Sequence, residues 1–286
     1  MELMDRRLIC FITLLFLTVE AGDWGFFAHK QIHACAVESL PQNNSLFAFF
    51  SANKTELVQE ATRPDRRRFR DKEEGYKHYI NLEYFQQPIP RKWEKVLRRH
   101  PIDSLKVYGT APWHIQQIYL DLVRVMKAGN KDSILYFAAD LGHYLADLHV
   151  PLHTTRYHDG KTPDQKGIHA LWESILPERF GSLKVISPAI ARKINVQKTI
   201  FRVVEQTHQL VPMVLQAEQA IASDFSQANR PKYTNSNTRR KYRADFILAY
   251  DKVMHQLIQQ QFDWAVFHVA SFWYTAYLQA GKPAFE

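Results

Sequence analysis

Two histidine–carboxylate pairs stand four residues apart within positions 141–173: His143 with Asp147, and His169 with Glu173, with His153 between them. On a helix, side chains four apart project from one face as neighbours, so each pair can close on a single metal ion. Imidazole nitrogen and carboxylate oxygen are donors that zinc accepts at about 2.0–2.2 Å. Five such residues in two consecutive segments, "LGHYLADLHVPLH" and "GIHALWE", predict a multinuclear zinc site rather than isolated core histidines. His149 and His158 share the region without a paired carboxylate and are expected behind the ligands or in solvent.

The elements that must position these residues read as helices. Residues 115–127, 133–148, 189–222 and 244–278 repeat apolar side chains every three or four positions, with no convincing strand or internal repeat, and prolines and glycines fall between the segments. The expected fold is all-α, a single-domain helical bundle with the zinc cluster in a cleft. Pro151 lacks a backbone donor and should end its helix, turning the chain so that His153 swings back towards His143 and Asp147. The polar loop 154–166 then leads into the helix carrying His169 and Glu173, and the polar stretch 226–240 reads as a surface loop.

With 286 residues, 46% hydrophobic and 23% charged, the chain can bury a large core, and residues 23–286 are expected to form one domain. Residues 1–22 read as an export signal: Arg6 and Arg7, an apolar run over 8–19, then small residues suited to cleavage near Ala21 or Gly22. The run is short for a bilayer span, which needs roughly 20 residues, although an uncleaved anchor is the alternative. Export to a bacterial periplasm or exterior is therefore expected. Cleavage leaves Cys35 alone, so no intramolecular disulfide can form and stability must come from core and metal. A net charge of +8 leans towards anionic partners such as phosphates, nucleic acid or a membrane surface.

"WGFFAH", "PDRRR", "YKHYIN", "GHYLADLHVPLH" and "GIHALWE" occur in an order that resembles the superfamily of zinc-dependent phospholipases C and single-strand-specific zinc nucleases, over essentially the whole exported part of the chain. The resemblance implies an all-α protein with three zinc ions in a cleft that hydrolyses phosphate esters. It implies a first zinc on Asp65, His78, His143 and Asp147, and a second on His153, His169 and Glu173. A third would take His29, the other oxygen of a bridging Asp147, and the terminal amine and carbonyl of Trp24 as first residue. The expected cleavage leaves Gly22 and Asp23 ahead of Trp24, so two to three ions are expected according to where processing ends.

A phosphodiester is an anion that repels hydroxide; zinc lowers the pKa of bound water to about 7 and neutralises the phosphoryl oxygens. The expected chemistry is attack by a zinc-bridging hydroxide, with Asp65 orienting or deprotonating the water as its implied catalytic role. Spacing from Trp24 to His29 resembles the nucleases, as does "HYIN", which implies Tyr79 as a base-stacking platform and Asn81 as its hydrogen-bonding partner. Glu173 in place of aspartate resembles the phospholipases. The expected substrate is single-stranded nucleic acid or nucleotide, with a phospholipid head group as the alternative and a non-catalytic exported zinc-binding protein as the second; no obligate protein partner is evident. Arg66, Arg67, Arg68 and Arg70 stand beside Asp65, either guiding an anion into the cleft or forming a solvated face.

Overall fold

A computed structural model describes residues 25–180, 189–234 and 242–285. Six long helices dominate: α1 Phe26–Glu38, α2 Ala111–Ala128, α3 Lys131–Asp147, α4 Val196–His208, α5 Val211–Gln227 and α6 Ala244–Gln279. Short helices and 3-10 turns fill the intervals, and no strand occurs among the described residues, where Tyr233 and Tyr242 make an isolated bridge. The all-α expectation holds. None of the described helices is long and apolar enough to cross a membrane.

The junction between α2 and α3 follows from two residues. Gly129 takes the left-handed conformation that ends α2 (φ 72°), and the Asn130 side chain accepts from the Ser133 N–H to start α3. The two helices then pack as an antiparallel pair against α6, which also meets α1 and α5. From Ala265 to Trp273 every residue of α6 is buried, so this helix runs through the core with no polar face over that stretch. Residues 138–147 of α3 are likewise all buried, which places the His143–Asp147 pair inside the protein.

One expected segment divides. Residues 189–222 form not one helix but two, α4 and α5, parted at Gln209 and Leu210. Pro212 lies in the first turn of α5, where a missing N–H costs nothing; inside a continuous helix its ring would meet the preceding turn. The start of the segment is not helical because its donors go elsewhere: Ala191 N–H to Ser39 O, Arg192 N–H to Ser271 Oγ and Ile194 N–H to Thr275 Oγ1. In the stretch read as a loop over 226–240, α5 runs on to Gln227, and residues 235–240 lie outside the described residues.

α1 approaches α3 at Gly142. A Cβ there would stand 2.4 Å from Nε2 of His33, whose Nδ1 lies 2.8 Å from His29 O and whose Nε2 lies 3.1 Å from Ala139 O. With a backbone carbonyl close to each nitrogen, the ring has no room to retreat. Gly142→Ala is therefore expected to destabilise the protein by about 1–3 kcal/mol, the usual cost of overpacking. A urea denaturation midpoint equal to that of the wild type would refute this.

Candidate metal centre

Each candidate ligand is placed by a different local device. His143 and Asp147 occupy the last two turns of α3, with His143 Nε2 3.5 Å from Asp147 Oδ2. The chain leaves α3, turns at Pro151 into a 3-10 turn over Pro151–Thr154, and returns His153 so that its Nδ1 is 3.8 Å from Asp147 Oδ1, the reversal expected of that proline. His169 and Glu173 approach to 2.9 Å, yet the helix between them is not regular: Leu171–Ile175 is a π turn. Pro177 explains this locally, since it cannot donate to the carbonyl four residues back, which is that of Glu173. Asp65 lies on the short helix Arg63–Arg68, and His78 follows the 3-10 turn Gly75–Lys77.

These residues converge into three groups, each with its donor atoms within 4.8 Å of one another: first Asp65, His78 and His143; second His153, His169 and Glu173; third His29, His143 and Asp147. Asp147 joins them, with Oδ2 2.9 Å from His78 Nδ1 and Oδ1 3.4 Å from His29 Nε2. The His29 ring stacks on His143 at a centroid distance of 3.9 Å.

The histidine tautomers are set from behind. His143 donates Nδ1–H to Ala61 O at 2.8 Å, His153 to His78 O at 3.0 Å, and His169 to His158 O at 3.2 Å. Each then offers its Nε2 lone pair to the centre. The Nε2 atoms of His153 and His169 consequently face each other at 3.2 Å, with Glu173 Oε2 3.2 Å from the first. Lone pairs in that arrangement require a proton or a cation between them.

The polar accounting agrees. Among the described residues, twelve buried side-chain nitrogen or oxygen atoms lack a hydrogen-bond partner, and seven belong to the cluster: both ring nitrogens of His29, both oxygens of Asp65, His78 Nε2, Asp147 Oδ1 and Glu173 Oε2. Leaving such atoms unpaired costs about 1–3 kcal/mol each, so their concentration in one place marks a site built for something else. Buried His, Asp and Glu groups of this kind can hold metal ions.

Electrostatics follow burial and proximity. Burial pushes His143 down to about 4 and lowers His29, so both are neutral donors at physiological pH. Burial also raises Asp65 to about 7, opposed by His29 and His78. For His78 burial is outweighed by the carboxylates of Asp147 and Glu74, which raise it to about 9. Glu173 is held at about 2 because His169 and His153 overcome its burial.

A cleft of about 670 Å³ opens over the second group, with His78, His153, His169 and Glu173 in its floor and Arg68, Tyr79, Tyr84 and Arg156 in its walls. The third group is the deepest, with His29, His143 and Asp147 fully buried. Eight of the nine expected ligands thus come together. The ninth, Trp24, lies outside the described residues, as does the segment 1–22 read as an export signal.

Tyr79 and Asn81 line the cleft, but both are tied to its wall: Tyr79 donates to Lys106 O at 3.0 Å and Asn81 Nδ2 to Val107 O at 3.0 Å. The arginine run divides. Arg68 lines the cleft with Nη1 3.8 Å from Asp65 Oδ1, whereas Arg67 turns inward to Glu74, Asp140 and Tyr144, and Arg66 donates to Thr62. His149 is buried away from the cluster against His268, and His158 lines the cleft, its carbonyl accepting from His169 and its ring meeting that of His169 edge-on at 6.1 Å. Sequence reasoning missed Glu74, Tyr84 and Arg156. Glu74 carried a signal, since it precedes His78 by the same four residues that selected the other pairs.

In comparisons with known proteins, no family model and no curated sequence matches this chain.

Proposed function

We propose that this protein is a zinc-dependent phosphodiesterase of the single-strand nuclease type. The observation that carries the reading is the meeting of two donor groups beneath one cleft: Asp65, His78, His143 and Asp147 adjoin His153, His169 and Glu173, with 3.8 Å between His153 Nδ1 and Asp147 Oδ1. Nitrogen and carboxylate donors without thiolate suit zinc, and the second group supplies three protein ligands, the number that leaves a coordination position open for chemistry. Zinc bound there would lower the pKa of water to near neutrality and offset the negative charge of a phosphodiester.

The chain's own residues would do the rest. Arg68 and Arg156, in the cleft walls, face the non-bridging oxygens of an anionic strand, and the tyrosine faces of Tyr79 and Tyr84 offer stacking surfaces to bases. Tyr84 is itself stiffened by stacking on Tyr108 at 4.5 Å. Asp65, with both oxygens free of hydrogen bonds, would bind metal with one and accept from water with the other. A phospholipase C reading is supported by Val107, an apolar side chain in the cleft wall that is 59% exposed.

The deciding experiment offers zinc-loaded protein single-stranded DNA, RNA and lecithin vesicles, with and without chelator, beside His143→Ala. Cleavage of the nucleic acids that is abolished by chelation and reduced by about 10²–10³-fold or more in the variant is expected. Cleavage of lecithin alone would transfer the activity to phospholipids. A zinc-replete protein inert towards all three would make it a zinc-binding protein without catalysis, and activity surviving both chelation and His143→Ala would sink the mechanism.

A further inference from the structure

We infer that Glu74 is a positioning residue of the metal centre, holding the Nε2–H of His78 so that Nδ1 presents its lone pair to the first donor group. The inference rests on the metal-binding reading above and extends it to a residue that donates nothing to the ions.

His78 is turned opposite to its companions. His143, His153 and His169 each direct Nδ1–H to a backbone carbonyl and aim Nε2 inward. His78 aims Nδ1 inward, 2.9 Å from Asp147 Oδ2 and 3.2 Å from His143 Nε2, and leaves Nε2 at the rear as a buried atom without a hydrogen-bond partner. Glu74 Oε1 stands 3.6 Å from that atom. This is too long for a hydrogen bond, and a shift of roughly half an ångström closes it.

Glu74 is fixed where it stands. It is fully buried and accepts from Arg67 Nε at 2.9 Å, Arg67 Nη2 at 3.0 Å, Lys77 Nζ at 3.0 Å and the Tyr144 hydroxyl. Arg67 and Lys77 compensate its charge, and the fork geometry of Arg67 sets its plane. His78 O receives His153 Nδ1–H, so this short stretch orients two histidines at once, one through its backbone and one through Glu74. A carboxylate behind a metal-bound imidazole fixes the tautomer and raises the basicity of the ligating nitrogen.

The test compares wild type, Glu74→Gln, Glu74→Asp and Lys77→Met by zinc titration against a chromophoric chelator, with circular dichroism to establish folding. Glu74→Gln is expected to bind one zinc about 10–100-fold more weakly, with partial recovery in Glu74→Asp. Lys77→Met, which removes an ion pair of Glu74 but not its carboxylate, should keep wild-type zinc affinity even where it lowers stability. ¹⁵N spectra of the zinc-loaded wild type provide a reading that needs no variant: metal on Nδ1 and a retained proton on Nε2 of His78. Folded Glu74→Gln with wild-type zinc affinity, or metal on Nε2 of His78, overturns the inference. Wild type that binds no zinc overturns the metal reading itself, a different and separately visible failure.

Discussion

Asp147→Asn is expected to reduce phosphodiester hydrolysis by about 10³-fold or more and to cut the bound zinc to a single ion. No other carboxylate touches as much of the centre: its two oxygens lie 2.9 Å from His78, 3.4 Å from His29, 3.5 Å from His143 and 3.8 Å from His153. Asparagine keeps the shape but presents one neutral oxygen and one N–H, so ions held beside this residue would lose an anionic donor, and the N–H cannot ligate a cation. The second group, His153, His169 and Glu173, does not depend on Asp147 for its donors and should retain its ion. Metal analysis of the purified variant beside its turnover checks both halves. Full zinc content, or activity within tenfold of wild type, would show that Asp147 is not the shared ligand.

Stripping the metal is expected to lower the melting temperature by roughly 15–30 °C. An ion present at a thousandfold over its Kd stabilises the fold by about 4 kcal/mol, and two ions double that; a domain of this size shifts by roughly 2–4 °C per kcal/mol. The structure supplies the reason the effect should be large. Without cations the orphaned oxygens and nitrogens of His29, Asp65, His78, Asp147 and Glu173 are buried unsatisfied, and the carboxylates repel one another. Differential scanning calorimetry with and without chelator reads the shift. Coincident transitions would mean that the cluster contributes no metal-linked stability.

What could be read in the sequence depended on whether one helix or turn carried the information. The His143–Asp147 and His169–Glu173 pairs are local, four residues apart, and both come together as read, although the second is carried by a π turn rather than a regular helix. Asp65 and His78 lie on a six-residue helix and after a 3-10 turn, elements too short to show periodicity, so only the resemblance singled them out. Arg67 looked like its basic neighbours because its partners Asp140 and Tyr144 are more than seventy residues away in the chain. The undivided helix expected over 189–222 failed for a related reason: apolar spacing continues across Pro212, and the bonds from 191–194 to Ser39, Ser271 and Thr275 are set by packing. Glu74 was different, being local and visible, with the carboxylate preceding the histidine rather than following it.

α3 runs 17 residues and ends on Asp147, so its C-terminus is delivered to the cluster. A helix concentrates roughly half a negative charge at that end. The negative end adds to the charge of Asp147 and Glu173, so the bare cluster would favour dications, and on the proposed function a phosphate strand would bind after the metal. The chelated protein should then lose affinity as well as turnover. Fluorescence anisotropy of labelled single-stranded DNA would display this directly, and equal binding with and without chelator would contradict it. On the proposed function, the helix that supplies the ligands would also make the ions a precondition for the substrate's approach.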